Sequence, residues 1–169
     1  MRGGGTYDTT SDGANAPKPG DWGGIHTTIT SRLSIDHAIF AYGGGITRIE
    51  GTFAGFNVIE IHQSEARIAH SIFEFNGGGV GGQAPTHRFG RGFNRPALMF
   101  VRGAQPIIVD NIFRDNKDSD DTSTLAAIDI NVNSLNHELK HDYGRSTGYA
   151  DALPGYRQNH GPLVVKNRL

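Results

Sequence analysis

The sequence contains no cysteine, which excludes disulfide bonds and thiolate metal sites and leaves the redox compartment undetermined. Its longest apolar runs are only a few residues, which excludes a membrane-spanning helix, and the N-terminal segment lacks the apolar region of a secretory signal. The formal net charge is −1, so charge gives no reason to expect a nucleic acid or an acidic membrane as a partner. The length of 169 residues suits one domain with its own core.

Glycine is the residue type in clear excess. The chain has 24 glycines, whereas hydrophobic residues make up only 36%; average glycine usage is about 7%. Such a composition predicts many tight corners. Residues 1–20 are rich in glycine, threonine, aspartate and proline, so we expect a polar N-terminal extension there.

One phrase is written three times along the chain. IDHAIFAY begins at Ile35, IAHSIFEF at Ile68 and IVDNIFRD at Ile108, and each contains an Ile-Phe pair. The spacing between the phrases, 33 and then 40 residues, indicates a repeat architecture with insertions of unequal length.

A second set of segments lies between these phrases. They alternate in character and are rich in β-branched or aromatic residues, which is typical of strands with one buried face. The segments are 22–26, 57–62, 97–102 and 126–133. Short strands that recur every thirty to forty residues predict an all-β parallel solenoid of about four turns, with turns about 4.8 Å apart.

In such a coil like residues would stack on like residues. We expect the isoleucines of the phrases to fill the interior; these are Ile35, Ile39, Ile68, Ile72, Ile108 and Ile112. The polar residues His37, His70 and Asp110 would mark corners. The glycines at 43–45 and 77–79 would open the next corner, because positive φ costs glycine little.

Several segments together resemble a known family. GDWGGI, SIDHAIFAYGGG, GGQAPTHRFGRG, FVRGAQPIIVDNIF, INVNSLNHEL and HGPLVVKNRL look like the right-handed parallel β-helix repeat proteins of pectin-lyase-like fold, which occur in large secreted bacterial proteins. The resemblance covers about residues 20–169. It implies the fold and an extracellular or cell-surface location, but this fold hosts lyases, hydrolases, adhesins and structural stalks.

The predicted coil spans residues 21–169. Four insertions interrupt it, at 43–56, 76–96, 116–125 and 134–160, and the first three would form a ridge on one edge. The C-terminal LVVKN is typical of another turn's first strand and corner, which predicts a section of a longer repeat protein with open ends that self-associate. The alternative is a compact four-turn protein whose loops cover its ends.

The strongest candidate site follows from strand parity. If Ile59 and Ile61 face inward, an exposed face carries a row of polar and aromatic groups. One column of this face would hold His26, His62, Arg102 and Asn131, with Glu60, Phe100 and Asp129 beside it. The resemblance implies that substrate lies on this first-sheet face.

The enzymatic hypothesis is elimination or hydrolysis of an acidic polysaccharide. Its predicted catalytic residues are His62, Arg102, Glu60 and Asp129, with Arg102 or His62 taking a proton. Its predicted ligand-binding residues are His26, Phe100, Asn131, Arg88 and Arg91. Glu60 and Asp129 would lie about 10 Å apart, too far to share one Ca²⁺. The alternative is that these are ordinary solvated side chains on the face of a structural module.

Three metal hypotheses remain from the sequence. Asp115, Asp118, Asp120 and Asp121 form an oxygen-rich run that suits Ca²⁺, although it lacks the pattern of an EF-hand. His137, Glu138 and His141 spell the H-E-x-x-H letters of zinc hydrolases. His37 and His70 would stack one turn apart, with Asp110 as a third ligand, although a structural corner is the competing interpretation.

Overall fold

The computed structural model describes residues 16–28, 30–45, 47–50, 53–55, 57–78, 97–118, 125–130 and 162–169. Across these ranges the regular structure is strand throughout, without a helix. The strands are β1 (Ile25–Thr27), β2 (Arg32–Asp36), β3 (Ile39–Ala41), β4 (Thr47–Glu50), β5 (Phe53–Gly55), β6 (Ile59–His62), β7 (Glu65–Ala69), β8 (Ile72–Glu74), β9 (Gly77–Gly78), β10 (Ala97–Arg102), β11 (Ile107–Val109), β12 (Ile112–Arg114), β13 (Lys117–Asp118), β14 (Ala126–Ile130) and β15 (Leu163–Val165). The all-β prediction is confirmed for this part of the chain.

The strands pair across long sequence separations in three main sheets, all parallel. The first sheet has the order β1-β6-β10-β14, the second β15-β11-β7-β2 and the third β12-β8-β3. The chain therefore visits the first, second and third sheets in turn and then returns to the first. We call one such passage a level. A short parallel pair, β13-β9, follows the third sheet, and β4-β5 is an antiparallel hairpin.

The three repeated phrases pair residue by residue. Ile35 lies opposite Ile68 and Ile68 opposite Ile108, and Ile68 and Ile108 are fully buried. This part of the predicted interior column is confirmed.

The second isoleucine of each phrase is placed differently from our prediction. Ile39, Ile72 and Ile112 do lie in register, but Ile39 is 66% exposed. The phenyl rings of Phe40, Phe73 and Phe113 fill the interior instead, with centroids 4.7 and 5.0 Å apart. Successive residues of a strand face opposite sides, and the larger apolar side chain takes the buried side.

Left-handed backbone conformations mark the corners between sheets. His37, His70 and Asp110 have φ near +50°, which confirms the predicted corners. At the following corner the left-handed residues are Tyr42, Phe75 and Asp115. The glycines predicted to open this corner follow these residues, and among them Gly44 has φ +92°; a side chain on Gly44 would collide with the carbonyl oxygen of Gly77.

Asparagine side chains satisfy the backbone groups that these corners leave open. Asn111 Nδ2 donates to the carbonyl of Ile68 at 3.0 Å, and Asn167 Nδ2 donates to that of Ile108 at 2.9 Å. At the next corner Asn76 and Asn116 make equivalent bonds to the third-sheet strands one level away. Because buried backbone polar groups need partners, these side chains stabilise the bends and hold successive levels together.

The predicted insertions begin after equivalent strands. Residues 43–56, 76–96 and 116–125 follow β3, β8 and β12, which are neighbours in the third sheet. The first insertion contains the β4–β5 hairpin.

Within the described ranges no helical segment has the length and apolarity that a membrane crossing requires.

Candidate functional site

Two neighbouring strands of the first sheet bring two histidines and a glutamate together. His26 lies on β1, and Glu60 and His62 lie two residues apart on β6. Parallel pairing places His26 directly opposite Glu60. Residues two apart on a strand share a face, so the three side chains converge on one side of the sheet.

One carboxylate oxygen joins the cluster. Glu60 Oε2 lies 3.1 Å from His62 Nε2 and 3.4 Å from His26 Nδ1, and the two imidazole rings are 4.6 Å apart at their centroids. Glu60 is 1% exposed and His62 is buried, whereas the side chain of His26 is 22% exposed. The cluster therefore reaches solvent on the side of His26.

The environment sets the charge of these groups. Burial raises the pKa of Glu60, but hydrogen bonds with His26 and His62 outweigh it and lower that pKa from 4.5 to about 2. Burial lowers the pKa of His62 against the opposing influence of Glu60. At neutral pH we therefore assign an anionic Glu60 beside a neutral His62. Ionised carboxylate and neutral imidazole are the forms that ligate metal ions.

Hydrogen bonds fix the strands that carry the cluster. The Thr27 hydroxyl donates to the carbonyl of Glu60 at 3.2 Å and accepts from the backbone N–H of His62 at 3.2 Å. It also lies 2.5 Å from Ser64 Oγ. Phe100, fully buried on β10, places its ring 5.8 Å from that of His62. Strand pairing and packing thus limit the movement of all three side chains.

The predicted polar row differs from the structure in its register. His26 stands in the column of Glu60, Phe100 and Asp129 and not in that of His62 and Arg102. The letters IEIH offer two isoleucines as neighbours for Ile25, and both registers keep the apolar face inward. A column that holds both His26 and His62 implies Ile25 opposite Ile61, whereas the structure pairs Ile25 with Ile59.

The same row was predicted to be exposed, and for four of its members this is wrong. Glu60, His62, Phe100 and Arg102 are all buried. The two middle strands of the first sheet, β6 and β10, are therefore buried on both of their faces, as the strands of parallel sheets generally are. Strand parity distinguishes the two faces of a sheet but does not reveal what covers each one.

Only some of the remaining predicted site residues lie in the described part of the chain. Arg102 lies opposite His62 in register, and Phe100 separates Glu60 from Asp129 as expected. Asn131, Arg88 and Arg91 lie outside the described residues, so their predicted roles stay predictions.

Only some of the residues in the metal hypotheses from the sequence lie in the described part of the chain. Of the proposed Ca²⁺ ligands, Asp115 is exposed at a corner and Asp118 lies in β13, whereas Asp120 and Asp121 fall outside the described residues. The zinc hydrolase letters, His137, Glu138 and His141, also lie outside them.

A second histidine cluster lies at the first corner. His37 and His70 stack as predicted, with centroids 4.8 Å apart. Their closest carboxylate is Asp36, which the sequence analysis did not consider; its Oδ1 is 2.6 Å from His37 Nδ1 and 2.8 Å from His70 Nδ1. The predicted third ligand, Asp110, is 3.9 Å from His70. Arg67 donates to the other oxygen of Asp36, so a cation there would face a guanidinium.

An open depression of about 510 Å³ lies on the second sheet. Its lining combines charged and polar groups with apolar ones, namely Arg32, Leu33, Ser34, Glu65, Ala66, Arg67, Gln105 and Ile107. The predicted site residues lie on the first sheet and in loops, and none of them belongs to this surface. The pairing of β2 with β7 creates this surface, because Arg32 lies opposite Glu65 and Ser34 opposite Arg67.

Comparisons with known proteins found no relative of this chain. No family model matches the chain, and neither the curated proteins nor the solved structures give a significant match.

Proposed function

We propose that this chain is part of a right-handed parallel β-helix of pectin-lyase-like type and serves as a non-enzymatic structural module of an extracellular surface protein that contacts glycans. The observation that carries this proposal is the repetition of the same columns at successive levels. Isoleucines, phenylalanines and corner asparagines each lie over their counterparts. Parallel strands joined by crossovers are right-handed in about 98% of cases, which supports the proposed hand.

The burial of the predicted catalytic row favours a structural function over an enzymatic one. A polymeric sugar needs an exposed face, whereas Glu60 and Arg102 are buried. An elimination through Arg102 and His62 would require the substrate carboxylate to reach these side chains. The alternative function, a polysaccharide lyase, therefore depends on access to the first sheet.

The depression on the second sheet supports glycan contact. Arg32 is highly exposed beside Glu65, and Arg67 is partly exposed beside Asp36. Guanidinium groups bind carboxylates through paired hydrogen bonds, and Ile107, 41% exposed in the same column as Arg67, offers apolar surface to a sugar ring. This chemistry suits an acidic oligosaccharide.

Two measurements on one purified sample test the proposal. Calorimetric titration with oligogalacturonate is expected to show binding that Arg67→Ala weakens and that Arg114→Ala, an exposed arginine on the third sheet paired with Glu74, leaves unchanged. The ultraviolet absorbance of unsaturated uronate is expected to stay flat during incubation with pectate. If the wild type forms unsaturated product and Arg102→Ala does not, the protein is a lyase and not a structural module. Absence of binding would remove the glycan contact.

A further inference from the structure

The chemistry of the cluster on β1 and β6 is that of a transition-metal site. His26 and His62 offer imidazole nitrogens and Glu60 a carboxylate oxygen, and all three ligand atoms lie within 4.8 Å of one another. Zinc sites with two histidines and one glutamate leave a fourth position for an exogenous ligand. Ca²⁺ and Mg²⁺ prefer ligand sets made of oxygen, so the nitrogens select against them.

One of the two distances at Glu60 Oε2 matches the spacing of ligand atoms around a metal ion better than it matches a hydrogen bond. Zinc bonds of about 2.0–2.2 Å place neighbouring ligand atoms about 3.3–3.5 Å apart at the edges of a tetrahedron. The two separations at Glu60 Oε2 are 3.1 and 3.4 Å. A hydrogen bond to a charged carboxylate is usually about 2.7–2.9 Å, so the contact with His26 is long for a hydrogen bond and close to a tetrahedral edge.

We propose that His26, Glu60 and His62 bind a divalent transition-metal ion of the zinc class, with the fourth position facing solvent on the side of His26. The imidazoles can ligate through the nitrogens that now face Glu60, because a neutral ring can carry its proton on the other nitrogen. The site is additional to the structural and glycan-contacting function proposed above.

The surroundings allow a cation to enter and stay. Glu60 supplies a full negative charge at the bottom of the cluster, and the partly exposed His26 provides an approach from solvent. Arg102 contributes positive charge near His62 and opposes the ion in part. The hydrogen bonds of Thr27 to the backbone of β6 hold the ligands in place before binding.

The corner cluster of Asp36, His37 and His70 serves as an internal control. It has the same ligand types within the same distance, but it is exposed and Arg67 already pairs with its carboxylate at 2.8 Å. The two clusters therefore have the same number and types of ligands and differ in their burial and in the charge around them.

The test uses tag-free protein stripped with a chelator, dialysed and loaded with Zn²⁺ or Co²⁺. We expect one retained ion per chain by elemental analysis, and strong visible absorption from four-coordinate Co²⁺. His26→Ala and the near-isosteric Glu60→Gln should each weaken Zn²⁺ binding by more than about tenfold, because loss of even an outer partner of a metal ligand costs 10–100-fold. His70→Ala should bind as the wild type does.

Three outcomes would overturn the proposal. The first is stripped wild-type protein that retains no Zn²⁺ or Co²⁺. The second is binding that His70→Ala abolishes and His26→Ala leaves intact, which would assign the ion to the corner. The third is binding lost only in His141→Ala, which would assign it to the 137–141 segment. Circular dichroism of each variant shows whether it remains folded, and His26→Ala is the more readily tolerated because this side chain is partly exposed.

Discussion

Left-handed backbone at non-glycine residues is a property of this protein at the scale of single residues. His37, His70 and Asp110 hold φ near +50° at equivalent corners, a conformation that costs about 1–2 kcal/mol for a residue with a side chain. Neighbouring side chains provide the compensation. The residue after His70 is Ser71, whose N–H bonds to Asn111 Oδ1 at 3.0 Å.

Asp36 at the same corner leads to a prediction about acid stability. Its hydrogen bond with His70, and then the one with Arg67, lowers the pKa of Asp36 from 3.8 to about 2. The folded state thus holds this proton less tightly than the unfolded state. The stabilisation is fully present above pH 3.8 and is lost as the pH falls toward 2. We expect urea denaturation to show a steeper loss of stability over this window in the wild type than in Asp36→Asn.

Salt provides the control for this measurement. The groups around Asp36 are His37, His70 and Arg67, with Asp110 near His70, and all of them are partly or largely exposed. Their interaction should weaken at about 1 M salt, where the Debye length is about 3 Å. Parallel pH profiles of the two proteins at low salt would contradict the prediction.

At the scale of elements, stacked aromatic rings hold the third sheet to the core. The rings of Phe40 and Phe73 are nearly parallel, with 8° between their planes, and those of Phe73 and Phe113 are tilted by 16°. The spacing of the rings follows the spacing of parallel strands, about 4.8 Å. Each level therefore contributes one ring to a column that no single level can bury.

Removal of the middle ring should destabilise the protein strongly. Phe73 is fully buried between two other phenylalanines, and truncation of such a side chain to alanine costs about 3–5 kcal/mol. Ile39→Ala is the matched control: this neighbour on β3 is exposed, and surface changes usually stay within about 0.5 kcal/mol. Chemical denaturation compares the two variants. A larger loss for Ile39→Ala would show that the inner and outer faces of the third sheet are assigned wrongly.

At the scale of the whole molecule, the second sheet has an exposed edge strand among the described residues. In the described part of the chain, β15 ends the second sheet and pairs only with β11. Its residues Leu163, Val164 and Val165 are between 38 and 49% exposed. Exposed apolar edge strands favour pairing with other chains.

We therefore expect concentration-dependent self-association through β15. Val164→Lys places a charge on this edge, and charged residues on edge strands oppose pairing. Sedimentation velocity over a range of concentrations should show larger species for the wild type and fewer for the variant. Equal association of both proteins would show that the contact lies elsewhere. A wild type that stays monomeric at every concentration would contradict the prediction.

The sequence by itself determined the period, the strands and the residues that stack, because like positions in successive levels must match in size and polarity. The pairs Ile35 with Ile68 and Ile39 with Ile72 follow from that rule alone. Only the tertiary structure decided that Phe40 faces inward and Ile39 outward, because both are apolar neighbours on one short strand. It also decided that His26 meets Glu60, since two registers kept the same face buried and only packing across the sheet distinguishes them.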